Sequence, residues 1–165
     1  MISIGMKRKI VIVLSGISII LCTISCLGLL IGGWILQSTA GLEPDTVAVQ
    51  IDAPPRVNVN EPFQIIVRVE STYPGMPQTI HSIDISDDYL QNIVLINADP
   101  AYSEQVSIPL VSFESFIFEQ ALSGTAVIQL TMQPQQTGRY TGEFDVCINA
   151  ANVCKLLTIE TIVGE

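Results

Sequence analysis

The chain has 165 residues, 48% of them apolar, with a formal net charge of −9, a mean hydropathy of +0.49 and a pI near 4.4. Oil and acid are segregated: Met1 to Leu36 carries Lys7, Arg8 and Lys9 and no acid, whereas residues 37–165 carry all 16 Asp and Glu against four cations, a balance of −12. A surface of that sign repels phosphate backbones, so nucleic acid is excluded as a partner of the large part.

The first element is Ile10 to Leu36, 27 residues without a charge. That is more than the roughly 20 needed to cross about 30 Å of hydrocarbon. In lipid a backbone must satisfy its own hydrogen bonds, so a transmembrane helix is expected despite the many β-branched residues. Lys7, Arg8 and Lys9 stand directly before it, and the positive-inside bias then keeps residues 1–9 cytoplasmic and puts everything beyond the span outside. Trp34 suits an anchor at the outer interface. The lipid bilayer is thus the first expected partner, with the segment acting as a signal-anchor. Two rivals stay open. Ser38-Thr39-Ala40 offers the small residues of a leader-peptidase site before Gly41, although the apolar run is about twice the usual length of such a leader. Thr23-Ile24-Ser25-Cys26 loosely resembles a lipobox. Within the span Gly28 and Gly32 form a GxxxG, with Ser18, Cys22 and Ser25 on a similar face. Small residues let two helices approach closely, which suggests a homodimer; small residues in a lone anchor are the plainer reading.

After a tether over 37–44 the hydrophobic period changes to two, opening a domain over 45–165. Val47, Val49 and Ile51 alternate with polar or small residues, Pro54-Pro55 interrupts, and Val57 and Val59 resume, which reads as one strand split by a proline kink. Phe63, Ile65, Val67 and Val69 give the best strand. Residues 74–77, Pro-Gly-Met-Pro, read as a loop. Ile80 to Ile85 is a strand, then Ser86 stands as an N-cap before Asp87 and Asp88 in the first turn of a short helix. Ile93 to Ile96 follows; Val106 to Leu110 and Phe113 to Phe118 form one interrupted strand or two. Thr125 to Met132, Tyr140 to Ile148 and Val153 to Ile162 complete the set. About eight strands without a long helix-period segment predict an all-β, immunoglobulin-like antiparallel β-sandwich of seven or eight strands.

The last hairpin is the most informative. Tyr140, in Gly138-Arg139-Tyr140-Thr141-Gly142, occupies the place where immunoglobulin-like domains put a tyrosine that bonds back to the preceding corner. Cys147 and Cys154 flank Asn149-Ala150-Ala151-Asn152, and pairing about Ala150-Ala151 sets the cysteines opposite each other. Outside the cytoplasm such a pair oxidises, and a disulfide is expected.

Pro-Pro-Arg-Val-Asn-Val-Asn-Glu-Pro-Phe-Gln-Ile-Ile-Val-Arg-Val, from Pro54 to Val69, together with Gly138 to Cys147, resembles the immunoglobulin-like β-sandwich modules of bacterial and archaeal surface proteins, of the CARDB or NEW3 kind. The resemblance covers about Asp45 to Ile162. It implies an extracytoplasmic adhesion, spacer or accessory role and brings no catalytic residues with it. The hairpin cysteines are a departure, since many such modules lack them.

Chemistry-bearing residues are sparse. His81 is the one histidine, too few for a nucleophilic triad or a three-ligand zinc site. Asp84, Asp87 and Asp88 fall within five residues, with Asp99 and Glu104 further on. A calcium site is one reading of that cluster, without the glycine and terminal glutamate of an EF-hand; solvated turn acids are the plainer one. No phosphate loop, GxSxG or HExxH occurs. The expectation is a single-pass membrane protein presenting an acidic domain to a protein partner, without catalysis or cofactor. The alternative is a ligand- or calcium-binding module using the acidic loops.

Overall fold

The computed structural model describes residues 43–165 except residue 74. The expected span over Ile10 to Leu36, with Lys7, Arg8, Lys9, Gly28, Gly32 and Trp34, lies outside the described residues. Among the described residues, no helix is long and apolar enough to cross a membrane.

Ten strands and one short helix follow in order: β1 Val47–Asp52, β2 Arg56–Asn58, β3 Phe63–Ser71, β4 Gln78–Ser86, α1 Asp87–Leu90, β5 Ile93–Asp99, β6 Glu104–Ile108, β7 Phe113–Leu122, β8 Thr125–Pro134, β9 Gly138–Ile148 and β10 Cys154–Gly164. They form a four-stranded sheet, β1-β3-β8-β5, and a six-stranded sheet, β2-β10-β9-β4-β7-β6. In constant-type immunoglobulin domains one sheet runs A-B-E-D and the other C-F-G. The same order recurs here: β1, β3, β8 and β5 in one sheet, β4, β9 and β10 in the other. The additions are the edge strand β2 and the β6–β7 hairpin, inserted after β5 and laid against β4.

Alternation explains the layers. In β3, Phe63, Ile65, Val67 and Val69 are buried while Gln64, Arg68 and Glu70 are exposed; β8 buries Ala126, Ile128, Leu130 and Met132 from the same sheet. The six-stranded sheet answers with Ile83 and Ile85, Phe116 and Phe118, Phe144, Val146 and Ile148, and these side chains make one core. Burying a side chain of this size contributes roughly 1.5–3 kcal/mol.

The structure corrects four expectations. Strands among the described residues number ten rather than seven or eight. The segments on either side of Pro54-Pro55 are not one kinked strand: β1 pairs with β3 in one sheet and β2 with β10 in the other. Two prolines in a row cannot continue a ladder, since neither has an N–H to give. The chain changes sheet there, and the Pro55 carbonyl accepts from the Ile162 N–H at 3.0 Å. The sandwich is consequently not wholly antiparallel, because β2 runs parallel to β10. Finally, Ser86 sits at the N-cap position but makes no side-chain cap; its Oγ accepts from the Glu143 N–H at 3.2 Å, tying β4 to β9. The choice between one strand and two over 106–118 resolves as a hairpin of two, β6 and β7.

Candidate functional site

On β4, Ile83 and Ile85 face the core, so Ser82, Asp84 and Ser86 point to the outer face of the six-stranded sheet. All three are nevertheless buried. In register beside Asp84 lie Ser115 on β7 and Asp145 on β9. The Ser115 hydroxyl donates to Asp84 Oδ1 at 2.6 Å. Burial raises the Asp84 carboxyl above its ordinary value, against the lowering effect of Ser115. Burial likewise raises Asp145, with the charges of Asp84 and Glu143 adding to it. Two carboxylates at the middle of a sheet with no cation between them form a locally electronegative stripe.

The disulfide closes one end of that stripe. Cys147 and Cys154 oppose each other in the β9–β10 ladder and are joined with S–S 2.07 Å. Cys147 is buried and its Sγ lies 3.5 Å from Asp84 Oδ2. Among the described residues, the ligand-type atoms of Asp84, Cys147 and Cys154 come within 4.8 Å of one another. Metals and electrophiles need thiolate, which forms in electropositive surroundings. Here both sulfurs are bonded to each other beside the Asp84 carboxylate, so the chemistry favours a clamp over a ligand set or a nucleophile.

Asp87 and Asp88 do not join Asp84. They occupy the first turn of α1, past the strand that carries Asp84, and the ligand cluster around Asp84 is completed by sulfur instead. His81 Nδ1 lies 2.5 Å from Glu119 Oε1, both at the surface of the six-stranded sheet. Glu119 has φ 49° and sits where the β4–β7 register shifts between Ile80 and Ser82.

At the opposite end the Tyr140 hydroxyl bonds back to its corner, sharing its hydrogen between the carbonyls of Gln136 at 3.2 Å and Thr137 at 3.1 Å. A residue the sequence did not single out anchors the same region from inside. Tyr89 of α1 is fully buried, meets Phe144 edge to face at 5.7 Å and lies 2.8 Å, hydroxyl to hydroxyl, from Thr161 of β10. Burial pushes its hydroxyl up to about 12. Its signal was an aromatic in the first turn of a helix too short to have a hydrophobic period.

A groove of ≈ 510 Å³ lies by β2, lined by Arg56, Glu61, Pro54, Phe63 and Ile162 among others. Its ionisable side chains are Arg56 and Glu61, one of each sign and with no nucleophile beside them.

The exposed apolar side chains are distributed unevenly. Of the eight large ones exposed among the described residues, Val94, Ile96, Val106, Leu110 and Val111 belong to β5, β6 and the β6–β7 turn. β5 and β6 end their respective sheets, and Leu110 is 98% exposed at the hairpin tip. Residues 105–113 carry no charge in a domain of −12. β5 has a register shift between Leu95 and Asn97, whereas β6 pairs with β7 without one; an open edge without lysine or bulge, as β6 has, is a template for strand pairing.

No family model matches the chain, and no curated protein does. Among solved structures, it is similar to a cohesin module from a Clostridium perfringens family 33 glycoside hydrolase, at 11% identity over 73% of this chain and 98% of that one, TM-score 0.48. It is also similar to a CARDB domain from Pyrococcus furiosus, at 15% identity over 76% and 96%, TM-score 0.41. A third is the C-terminal domain of a Streptococcus pyogenes antigen I/II-family protein, at 12% identity over 71% and 46%, TM-score 0.42.

Proposed function

We propose that the chain is a single-pass membrane protein whose acidic sandwich stands outside the cytoplasm and binds a protein partner, without catalysis. The membrane part rests on the charge-free run from Ile10 to Leu36 behind Lys7, Arg8 and Lys9. Gly28 and Gly32 on that run offer two copies a face for lateral pairing.

The observation that carries the binding role is the exposed apolar flank made by the charge-free stretches 93–98 of β5 and 105–113 of β6 and the Leu110 tip. An extended partner segment adding to β6 would gain main-chain hydrogen bonds from the edge and apolar contacts from Val106 and Ile108. A second copy is a poor occupant of that edge, since it would bring −12 against −12.

A photo-cross-linking residue at Leu110 in native membranes tests this. A discrete heavier adduct is expected from position 110, none from position 64 on the outer face of the four-stranded sheet, and loss of the adduct with Val106→Lys at an unchanged melting temperature. No adduct at 110, or equal adducts at 64, would remove the flank as the binding surface.

A further inference from the structure

The end of the sandwich at which the chain enters has a composition unlike the rest of the domain. Val47 pairs with Ser71, Glu70 with Thr125, Gln78 with Leu122, and Cys147 with Cys154. The start of β1 and the connections β3–β4, β7–β8 and β9–β10 therefore share one end. Hydrogen bonds stitch them together: the Thr72 N–H to the Thr46 carbonyl at 2.9 Å, the Ser71 N–H to the Gly124 carbonyl at 2.7 Å, and the Asn149 N–H to the Thr79 carbonyl at 2.8 Å. The Gln78 side-chain amide also donates to the Thr46 carbonyl at 3.3 Å.

In this strongly acidic domain, residues 71–80, 120–138 and 146–154 contain no charged side chain. From this uncharged end Tyr73 and Met76 project, 57% and 53% exposed. The acids at its margin are Glu43 and Asp45 on the entering chain and Glu70 at the end of β3; Glu43 is paired with Lys155 at 2.6 Å. The far end carries Arg56, Glu61, Asp87 and Asp88.

Only residues 37–46 separate the apolar run from β1. Fully extended they reach at most about 35 Å, so the entering end is held within that distance of whatever holds Leu36. A sheet end that must face a bilayer at short range meets headgroups, where tyrosine is favoured.

The geometry points to this end as a bilayer seat: residues 72–73 and 75–77 with the loops 123–124 and 149–153 rest on the outer leaflet, with Tyr73 and Met76 entering the headgroup layer. The inference rests on the single-pass reading above and deepens it by fixing which end of the sandwich meets lipid. It also turns the Leu110 tip outward, since β7 runs about 30 Å from one end to the other.

Tryptophan depth reads this directly. The full chain is placed in phosphatidylcholine nanodiscs, with or without lipid brominated in the upper acyl chain. Single tryptophans are put at Tyr73→Trp, Met76→Trp and Leu110→Trp in a Trp34→Phe background, beside the native protein. Quenching at positions 73 and 76 of roughly half that of Trp34 or more, with none at 110, supports the seat. Quenching of Trp34 with positions 73 and 76 as unaffected as 110 overturns the seat and leaves the anchor standing. An unquenched Trp34 in a protein that does not partition into the nanodiscs overturns both. The two seat positions are exposed, so at least one variant folds for the comparison.

Discussion

Gly142 shows how one atom governs the core beside β9. A Cβ there would stand 2.8 Å from the Phe144 ring and 2.9 Å from the Tyr89 ring, and both rings are fully buried. Gly142→Ala is expected to cost about 1–3 kcal/mol by overpacking, measured by urea unfolding. The Tyr140 hydroxyl at the same end of β9 makes bonds to the corner only, so Tyr140→Phe should cost about 1 kcal/mol in the same assay and leave the near-ultraviolet spectrum of the buried aromatics unchanged. Asp84 and Asp145 act on the pH profile. Burial raises both above the ordinary 3.8, so from 3.8 up to their raised values the folded chain holds protons that the unfolded chain has released. Folding stability therefore declines as pH rises through that window and gains on acidification back through it. Asp84→Asn keeps an acceptor for Ser115 and cannot ionise. Its melting temperature should exceed the parent's at pH 7 and converge with it near pH 4; a gap of equal size at both would dismiss the assignment.

At the level of elements, the cysteine hairpin was readable because spacing about Ala150-Ala151 dictates which residues oppose. The ladder indeed sets Cys147 against Cys154. The closed loop spans eight residues, for which chain entropy gives about 2.5 kcal/mol. Cys147→Ala with Cys154→Ala should therefore lower unfolding stability by about that much, while Leu110 cross-linking persists. β3 and β8 were equally legible, since strict alternation announces a sheet with one face buried. β2 was not: three residues after two prolines carry no period, and their pairing is decided by β10, more than 100 residues on. Ser86 misled for a related reason. Its sequence neighbours offer it a helix to cap, while the fold places the Glu143 N–H within reach of its hydroxyl. Buried Asp84 was the hardest to foresee, because its alternation put it on the outer face and only the flanking strands show that this face is covered there.

For the whole molecule, charge is arranged by position along the chain and then by position on the domain. Three cations and no acid precede the apolar run, all 16 acids and four cations follow it, and within the sandwich residues 71–80 at the entering end and 105–113 at the β6–β7 hairpin are free of charge. Topology is checked by protease added to sealed cells or vesicles. The domain should be digested only from outside, and mass spectrometry of the mature protein should find residues 1–9 intact. Mature protein beginning at Gly41 would replace the anchor with a cleaved leader and leave the flank reading untouched.

The parallel pairing of β2 with β10 has a consequence for the order of events in making this domain. β10 is the last strand of this domain in chain order and lies between β2 and β9, while its Thr161 supplies the hydroxyl beside Tyr89. Without β10 in place, Arg56 to Asn58 has no strand neighbour, β9 has a bare edge and the Tyr89 hydroxyl lacks the Thr161 hydroxyl. Closing the six-stranded sheet therefore requires β10 to stand between β9, its neighbour in sequence, and β2, about 100 residues earlier. Pairings of such sequence separation form slowly. Until β10 is in place, the β6 edge and the unfilled β9 edge are exposed together, and that is the state of this domain most open to wrong pairing.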